Sequence, residues 1–443
     1  MKGGSKRTRG RLLLAAGPCH SREKEEGAQG VGRARGSLSE LPPAAKVALV
    51  LEPVHAPKPS PLKWVQSSEE LRDLCARWQD CEALGVDTEF VRTRTFYPRL
   101  GLIQVGDGEV NALIDPLSIP DLDPLAAVFQ NPEVVKVFHS CGEDLEVLYH
   151  GLGAVPRPLF DNQLAAAFVG LGHSLGYHRL VLELFEVDLP KGETRSNWMK
   201  RPLTESQKKY AAQDVEYLLP AWHYLAPRLE AVEREEWLVD ELEALSDVER
   251  FLPSPDTVYR AFASHSFTRR ELGALRLVAE WREKEARRRD LPRNFVLPKA
   301  AVVGLVRSWP RNERDLTRVK GIRREDVERH SRKLLGMLRE AQRLPSAELP
   351  ERPRRPLDLS PYRKQVENLR SAVAEWVEEQ GLPMELVANR KSLENVARRL
   401  IRGEASLLGD EFRGWRKELL GEVIEQLRPE PRKSGGRRGK ASR

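Results

Sequence analysis

Val86-Asp87-Thr88-Glu89-Phe90 is the segment of this chain that says most about its fold. Its apolar surroundings predict a buried strand, and side chains two residues apart on a strand point to the same face. Asp87 and Glu89 therefore project together. Two carboxylates so placed repel each other unless a positive charge lies between them, and a divalent metal ion is the simplest candidate. The competing explanation is an edge strand with two solvated acids, and this segment alone slightly favours it.

Further strands surround this segment. Strand-like patterns cover residues 84–90, 100–105, 110–114 and 134–138, and the sequence Gly-Asp-Gly at 106–108 suits a hairpin turn. Helical patterns begin near Glu143 and continue from Thr204 to about 245, where we expect breaks near two prolines at 220 and 227. Antiparallel strands followed by strand–helix alternation predict a mixed sheet flanked by helices.

Two later segments supply more acidic residues. Asp144 follows a buried strand and a small-residue turn, in the first turn of a predicted helix, where the helix dipole favours an acid. Tyr210 and Asp214 are four apart on another helix and share a face, and small alanines between them allow that helix to approach a sheet closely. The alternatives are simple N-terminal charges for the first segment, and a core tyrosine beside an incidental surface acid for the second.

Taken together, Asp87, Glu89, Asp144 and Asp214 suit two divalent cations roughly 4 Å apart. Such a pair of cations can activate water on one side of a phosphate and stabilise the leaving oxygen on the other. The hydroxyl of Tyr210 can either orient or deprotonate the attacking water.

Length and composition limit the class of protein. A chain of 443 residues with 40% hydrophobic and 31% charged residues predicts two to four globular domains. No apolar run approaches the roughly 20 residues that span a bilayer. The four cysteines form no CxxC pair, and no histidine stands at zinc spacing from them, so we expect no zinc site and a reducing compartment.

Charge is distributed unevenly along the chain. Residues 62–248 carry 17 basic and 32 acidic residues, a net charge of −15, whereas residues 269–343 carry 22 basic and 11 acidic residues, a net charge of +11. One region is therefore suited to holding cations and the next to approaching polyanions. A solvated helical surface is the alternative explanation for the basic segment.

Two all-helical segments follow the acidic region and resemble each other. Residues 278–283 (VAEWRE), which lead to Leu-Pro at 291–292, parallel residues 373–378 (VAEWVE), which lead to Leu-Pro at 382–383. The shared frame predicts a duplicated small helical domain. We expect the following organisation: a disordered basic extension (1–60), an α/β domain (62–248), a first helical domain (266–345), a second helical domain (360–428) and a disordered basic tail (429–443).

These motifs resemble the ribonuclease D family, in the tyrosine-bearing branch of the DEDD 3′–5′ exonuclease superfamily. The resemblance spans about residues 62 to 428, and the matching segments are 87–92, 97–98, 100–104, 139–148, 191, 195–198, 201–204 and 210–218. The two helical segments resemble HRDC domains, which are small nucleic-acid-binding modules. The resemblance implies a ribonuclease H-like α/β exonuclease domain followed by two helical-bundle HRDC domains.

The resemblance also implies roles for individual residues. Asp87, Glu89, Asp144 and Asp214 would bind two Mg²⁺ or Mn²⁺ ions, and Tyr210 would position the nucleophilic water. The expected activity is 3′–5′ exonucleolytic hydrolysis of RNA, notably of tRNA precursors, that releases 5′-mononucleotides. We also expect a cytoplasmic monomer without a membrane partner. Contacts with the substrate are expected from Gln104, His139, Lys191, Arg195 and Trp198.

Several of these expectations have competitors. Trp198 is equally explained as a core aromatic and Arg195 as a solvated charge, while a packed hydrogen bond at a strand end is the better explanation for Gln104 and His139. Two alternative functions stay open, a DNA-directed exonuclease of the same superfamily and a non-catalytic RNA-binding protein. The chain has no GxxxxGK loop, so it is not a helicase.

Overall fold

The computed structural model describes residues 54–190, 192–193 and 196–427. Lys191 and Arg195 lie outside the described residues, and so do residues 1–53 of the expected N-terminal extension and the basic tail at 429–443. In the described part of the chain, no helix is both long enough and apolar enough to cross a membrane.

A six-stranded mixed sheet forms the centre of the α/β domain. Its strands are β1 (Leu62–Val65), β2 (Ala83–Val91), β3 (Arg99–Gly106), β4 (Asn111–Ile114), β5 (Val135–Phe138) and β6 (Leu159–Asp161). Their spatial order is β1-β4-β3-β2-β5-β6, in which β2, β3 and β4 are antiparallel while β1, β5 and β6 each pair in parallel. The predicted antiparallel start and mixed sheet are confirmed, with β2 at an inner position.

Helices pack against this sheet, and along the chain they occur both before and after β2. They are α1 (Ser68–Trp78), α2 (Asp123–Gln130), α3 (Gly142–Leu152), α4 (Asn162–Phe168), α5 (Tyr177–Phe185), α6 (Glu205–Glu216), α7 (Leu218–Ala231), α8 (Glu235–Leu245) and α9 (Val248–Phe251). Helix α6 packs across β2, β3 and β4, and α3 packs against β2 and β3. The two helices that carry the later acids therefore both reach β2.

The helical stretch after Thr204 breaks near one of its two prolines. The chain leaves helical geometry at Tyr217, between α6 and α7 and three residues before Pro220, and again between α7 and α8. Pro220 lies in the first turn of α7, where the missing N–H would have no intrahelical partner, and Pro227 is accommodated inside the helix. The expected break near Pro220 is therefore confirmed, and the expected break near Pro227 is wrong.

The expected N-terminal extension is held in place over its last residues. The backbone N–H of Val54 donates to the carbonyl of Leu184 (3.0 Å), and that of Ser60 donates to the carboxylate of Glu216 (2.8 Å). The α/β domain therefore begins before residue 62, and the expectation of disorder over 1–60 is wrong for these residues. Composition did not reveal this, because the contacts are made by backbone atoms.

The helical part of the chain repeats one arrangement twice. The first copy has α10 (Arg269–Arg289), α11 (Arg293–Val296), α12 (Lys299–Ser308), α13 (Glu313–Leu316) and α14 (Arg324–Arg343); the second has α15 (Arg363–Glu379), α16 (Met384–Val387), α17 (Arg390–Arg402) and α18 (Trp415–Gln426). In both copies a long helix, a Leu-Pro pair, a four-residue helix and a longer helix follow one another. The first three helices of each copy therefore follow the same order, whereas α13 of the first copy has no counterpart in the second.

The two helical domains relate differently to the α/β domain. The first has its own hydrophobic core, which also includes Tyr259 and Phe262 from a segment before residue 266. The core of the second is continuous with that of the α/β domain, where Trp415 of α18 stacks on Trp237 of α8 with ring centroids 4.8 Å apart. The carboxylate of Glu241 also pairs with a guanidinium of α18.

Candidate active site

Strand β2 presents the acid pair as predicted. Both Asp87 and Glu89 are partly buried, and the neighbouring strand places Gln104 directly opposite Asp87 and Leu102 opposite Glu89. A register shift follows Glu89, so that the strand bends immediately after the pair.

Thr88, between the two acids, connects β2 to the second acidic segment. Its hydroxyl donates a hydrogen bond to Oδ1 of Asp144, which is a buried residue in the first turn of α3. The turn before α3 is fixed by Asp161, whose carboxylate accepts a hydrogen bond of 2.7 Å from the backbone N–H of Cys141. Sequence reasoning missed both contacts, because neither Thr88 nor Asp161 belongs to the acidic set that drew attention.

Helix α6 brings Tyr210 and Asp214 to the same region. Ala211 and Ala212 are buried against Leu102 and Leu113 of the sheet, which confirms the predicted close approach of this helix. The hydroxyl of Tyr210 lies close enough to the carboxylate of Asp214, one turn away, to lower the pKa of that acid.

Gly192 lies against the ring of Tyr210. A Cβ at this position would overlap the ring carbons, so any residue other than glycine would displace the ring of Tyr210. The following residue, Glu193, accepts a hydrogen bond of 2.9 Å from the hydroxyl of Ser206, in the first turn of α6. The sequence offered no separate signal for Gly192, because it stands in a polar stretch without periodicity.

The four acids act on one another electrostatically. Burial raises the pKa of each: that of Glu89 to about 9, that of Asp144 to about 6 and that of Asp214 to about 7, while that of Asp87 rises well above its ordinary value. The charges of the neighbouring acids raise the pKa of Asp87 and Glu89 further. The hydroxyls of Thr88 and Tyr210 partly oppose the shift at the acids beside them.

The donor chemistry of this group suits hard cations. No lysine or arginine among the described residues forms an ion pair with any of the four acids, so their mutual repulsion is uncompensated within the described protein. The described residues contain no three His, Cys, Asp or Glu side chains already gathered at metal-ligand spacing. Cations bound here would therefore draw the carboxylates together.

The predicted substrate contacts lie in different environments. Gln104 is fully buried on the face of β3 next to Asp87, and among the described residues neither of its amide atoms has a hydrogen-bond partner. His139 forms the expected packed hydrogen bond, with Nε2 2.9 Å from the carbonyl of Leu175. Trp198 is only 2% exposed and packs beside Tyr210, with ring centroids 6.2 Å apart, which favours its alternative explanation as a core aromatic.

Comparison with known proteins agrees with this arrangement. Residues 62–230 match the family described as 3′–5′ exonuclease, and residues 271–338 match the HRDC domain. Ribonuclease D of Pseudomonas paraeruginosa is 38% identical over 365 residues, which is 82% of this chain and 96% of that protein. Ribonuclease D of Escherichia coli is 36% identical over 372 residues, which is 82% of this chain and 97% of that protein.

A solved structure matches most of this chain. The crystal structure of Escherichia coli RNase D, described as an exoribonuclease involved in structured RNA processing, superposes with a TM-score of 0.74 at 35% identity. The match covers 83% of this chain and 98% of the other, so it extends beyond the α/β domain into the helical domains.

Proposed function

This chain belongs to the ribonuclease D family of 3′–5′ exoribonucleases, and we propose from that membership that it trims single-stranded 3′ ends of structured RNA, notably tRNA precursors. The observation that carries the proposal is the meeting of Asp87, Glu89 and Asp144 with Asp214, four uncompensated carboxylates from one strand and two helices. We further propose that the product is a 5′-mononucleotide.

The four acids would hold two divalent cations, Mg²⁺ or Mn²⁺. When bound, such ions activate water and neutralise charge on the scissile phosphate. The hydroxyl of Tyr210, which lies beside Asp214, would orient the attacking water. The amide of Gln104, opposite Asp87 in the ladder, is fully buried and has no hydrogen-bond partner among the described residues, so contact with the terminal nucleotide would require it to become exposed.

The distribution of charge supports a division of labour between domains. An α/β domain with a net charge of −15 repels RNA, whereas the first helical domain, at +11, can hold the body of a structured RNA while its 3′ end enters the acidic site. We propose that the second helical domain is a second HRDC-like domain, because it begins with the same order of helices as the first. We also propose that the three domains have the limits 62–248, 266–345 and 360–428, except that the α/β domain begins before residue 62.

The proposed exoribonuclease activity can be tested directly. The purified protein with Mn²⁺ should release mononucleotides from the 3′ end of an RNA oligonucleotide, and a chelator should stop the release. Asp87→Ala combined with Glu89→Ala should abolish release while RNA binding persists. Asp73→Ala with Asp80→Ala, which removes two exposed carboxylates from α1 and the residues after it, serves as the matched control and should leave the rate unchanged. Release that persists in the first variant would contradict the proposal.

The proposal leaves two competitors to be measured. Degradation of matched RNA and DNA oligonucleotides distinguishes an exoribonuclease from a DNA-directed enzyme, since the 2′-hydroxyl is the feature that separates them. A protein that binds RNA with Mn²⁺ present but releases nothing would be the non-catalytic alternative. We also propose a cytoplasmic monomer; Cys75, Cys81 and Cys141 are buried and form no disulfide bond among the described residues, which agrees with a reducing compartment, and sedimentation would test the oligomeric state.

A further inference from the structure

A cavity of about 610 Å³ lies where the α/β domain meets the first helical domain. One wall is formed by the segment after β2, by α3 and by the end of α9, and it includes Arg92, Glu146 and Arg250. The opposite wall belongs to the first helical domain and includes Arg282, Arg293 and Lys299.

The charge of the cavity is strongly unbalanced. Five of its lining residues are basic, and its single acid, Glu146, is already paired with Arg92. Among the described residues, Arg250, Arg282 and Lys299 have no carboxylate partner. The guanidinium of Arg250 donates to the carbonyl of Ala244 (2.9 Å), and that of Arg282 donates to the carbonyl of Leu297 (2.6 Å). Uncompensated positive charge between two protein walls attracts anions.

The cavity is connected to the acidic site through the chain itself. Arg92 comes three residues after Glu89, and Glu146 comes two residues after Asp144 on α3. With about 3.3 Å per residue along a strand, the cavity begins roughly 10 Å from the acids. That separation corresponds to about one or two nucleotides of an extended strand, and the cavity continues beyond it.

Specific contacts hold the two walls together. The carboxylate of Asp290, at the end of α10, accepts hydrogen bonds from the backbone N–H groups of Phe96 and Tyr97, each at 3.0 Å. The guanidinium of Arg293 lies over the ring of Phe96, 4.5 Å from its centroid. These hydrogen bonds and this cation–π contact therefore fix the distance between the two walls of the cavity.

We propose that this cavity binds the phosphodiester backbone of the RNA strand a few nucleotides upstream of the 3′ end being cleaved. The inference rests on the proposed function, and it assigns to the domain junction the task of guiding the strand between the basic helical domain and the acidic site. Arg250 and Lys299 are the residues that best test it, because both are exposed and neither pairs with a carboxylate.

The test uses the full-length protein and two RNA probes, a decanucleotide that reaches the cavity and a dinucleotide that does not. The test variant is Arg250→Glu with Lys299→Glu. The control is Arg363→Glu with Lys364→Glu, which makes the same change of charge at the exposed start of α15, outside the basic first helical domain and away from the cavity. Turnover with Mn²⁺ is measured for both probes, and decanucleotide binding is measured by fluorescence anisotropy with a chelator.

The test variant should bind the decanucleotide about tenfold more weakly, with a salt dependence reduced by roughly 2 in log–log slope. Its dinucleotide turnover should be unchanged, which also shows that it is folded. Unchanged decanucleotide binding, equal losses on both probes, or an equal loss in the control would each overturn the proposal. Mononucleotide release by the unaltered protein reports separately on the proposed function.

Discussion

At the scale of single residues, the four acids of the candidate site depend on neighbours outside that set. Thr88 ties β2 to Asp144, and Asp161 fixes the turn that presents Asp144. The acids and Tyr210 could be predicted because their spacing on a strand and a helix determines which face they occupy. Their supporting contacts could not, because a threonine hydroxyl or an aspartate at a strand end has many possible partners until the fold is known.

Gly192 offers the sharpest test at this scale. Gly192→Ala should push the ring of Tyr210 out of place and lower kcat by about tenfold or more, since small displacements of a positioning group are costly in catalysis. Tyr210→Phe should also lower kcat, because it removes the hydroxyl. The measurement is steady-state turnover of an RNA oligonucleotide, with circular dichroism to verify folding.

A double variant shows whether the effect passes through Tyr210. If it does, adding Gly192→Ala to Tyr210→Phe should cost little more, because no hydroxyl is left to misplace. An equally large additional loss in the Tyr210→Phe background would mean that Gly192 acts in another way.

At the scale of secondary structure, elements with a strong local pattern could be predicted and weakly patterned ones could not. The strands from β2 to β5 lie within one or two residues of their predicted limits, because apolar runs and a turn signal delimit them. Strand β6 has only three residues, and β1 only four, and each is created by pairing with a strand distant in sequence. Such pairing leaves little trace in the local pattern.

Two glycines lie inside helices of the first helical domain, and we expect replacement by alanine to have opposite effects at the two positions. Gly336 in α14 has open space where a Cβ would lie, so Gly336→Ala should stabilise the domain by about 0.5–1 kcal/mol through helix propensity. A Cβ on Gly304 in α12 would lie only 2.7 Å from the carbonyl oxygen of Lys320, so Gly304→Ala should destabilise the domain. Urea denaturation of the two variants measures both changes, and a shared sign would contradict this account of the packing.

At the scale of the whole molecule, the two helical domains share a sequence pattern but pack differently against the α/β domain. The two helical domains begin with the same order of helices, yet the first has a separate hydrophobic core and the second shares the core of the α/β domain. The sequence predicted the repeat because its AEWxE and Leu-Pro signals are local. It could not predict the shared core, because the stacked pair Trp237 and Trp415 comes from distant parts of the chain.

This difference predicts how the protein unfolds. The α/β domain and the second helical domain should melt together, and the first helical domain should melt in a separate transition, since one core joins the former pair while the latter has its own. Trp415→Ala should remove about 3 kcal/mol or more from the shared unit only, and Leu334→Ala, at a fully buried position in α14, about 2 kcal/mol or more from the first helical domain only. Differential scanning calorimetry resolves the two transitions and assigns each by the variant that shifts it. A single transition that both variants lower equally would mean that the contacts of Asp290 and Phe96 at the junction couple all three domains into one cooperative unit.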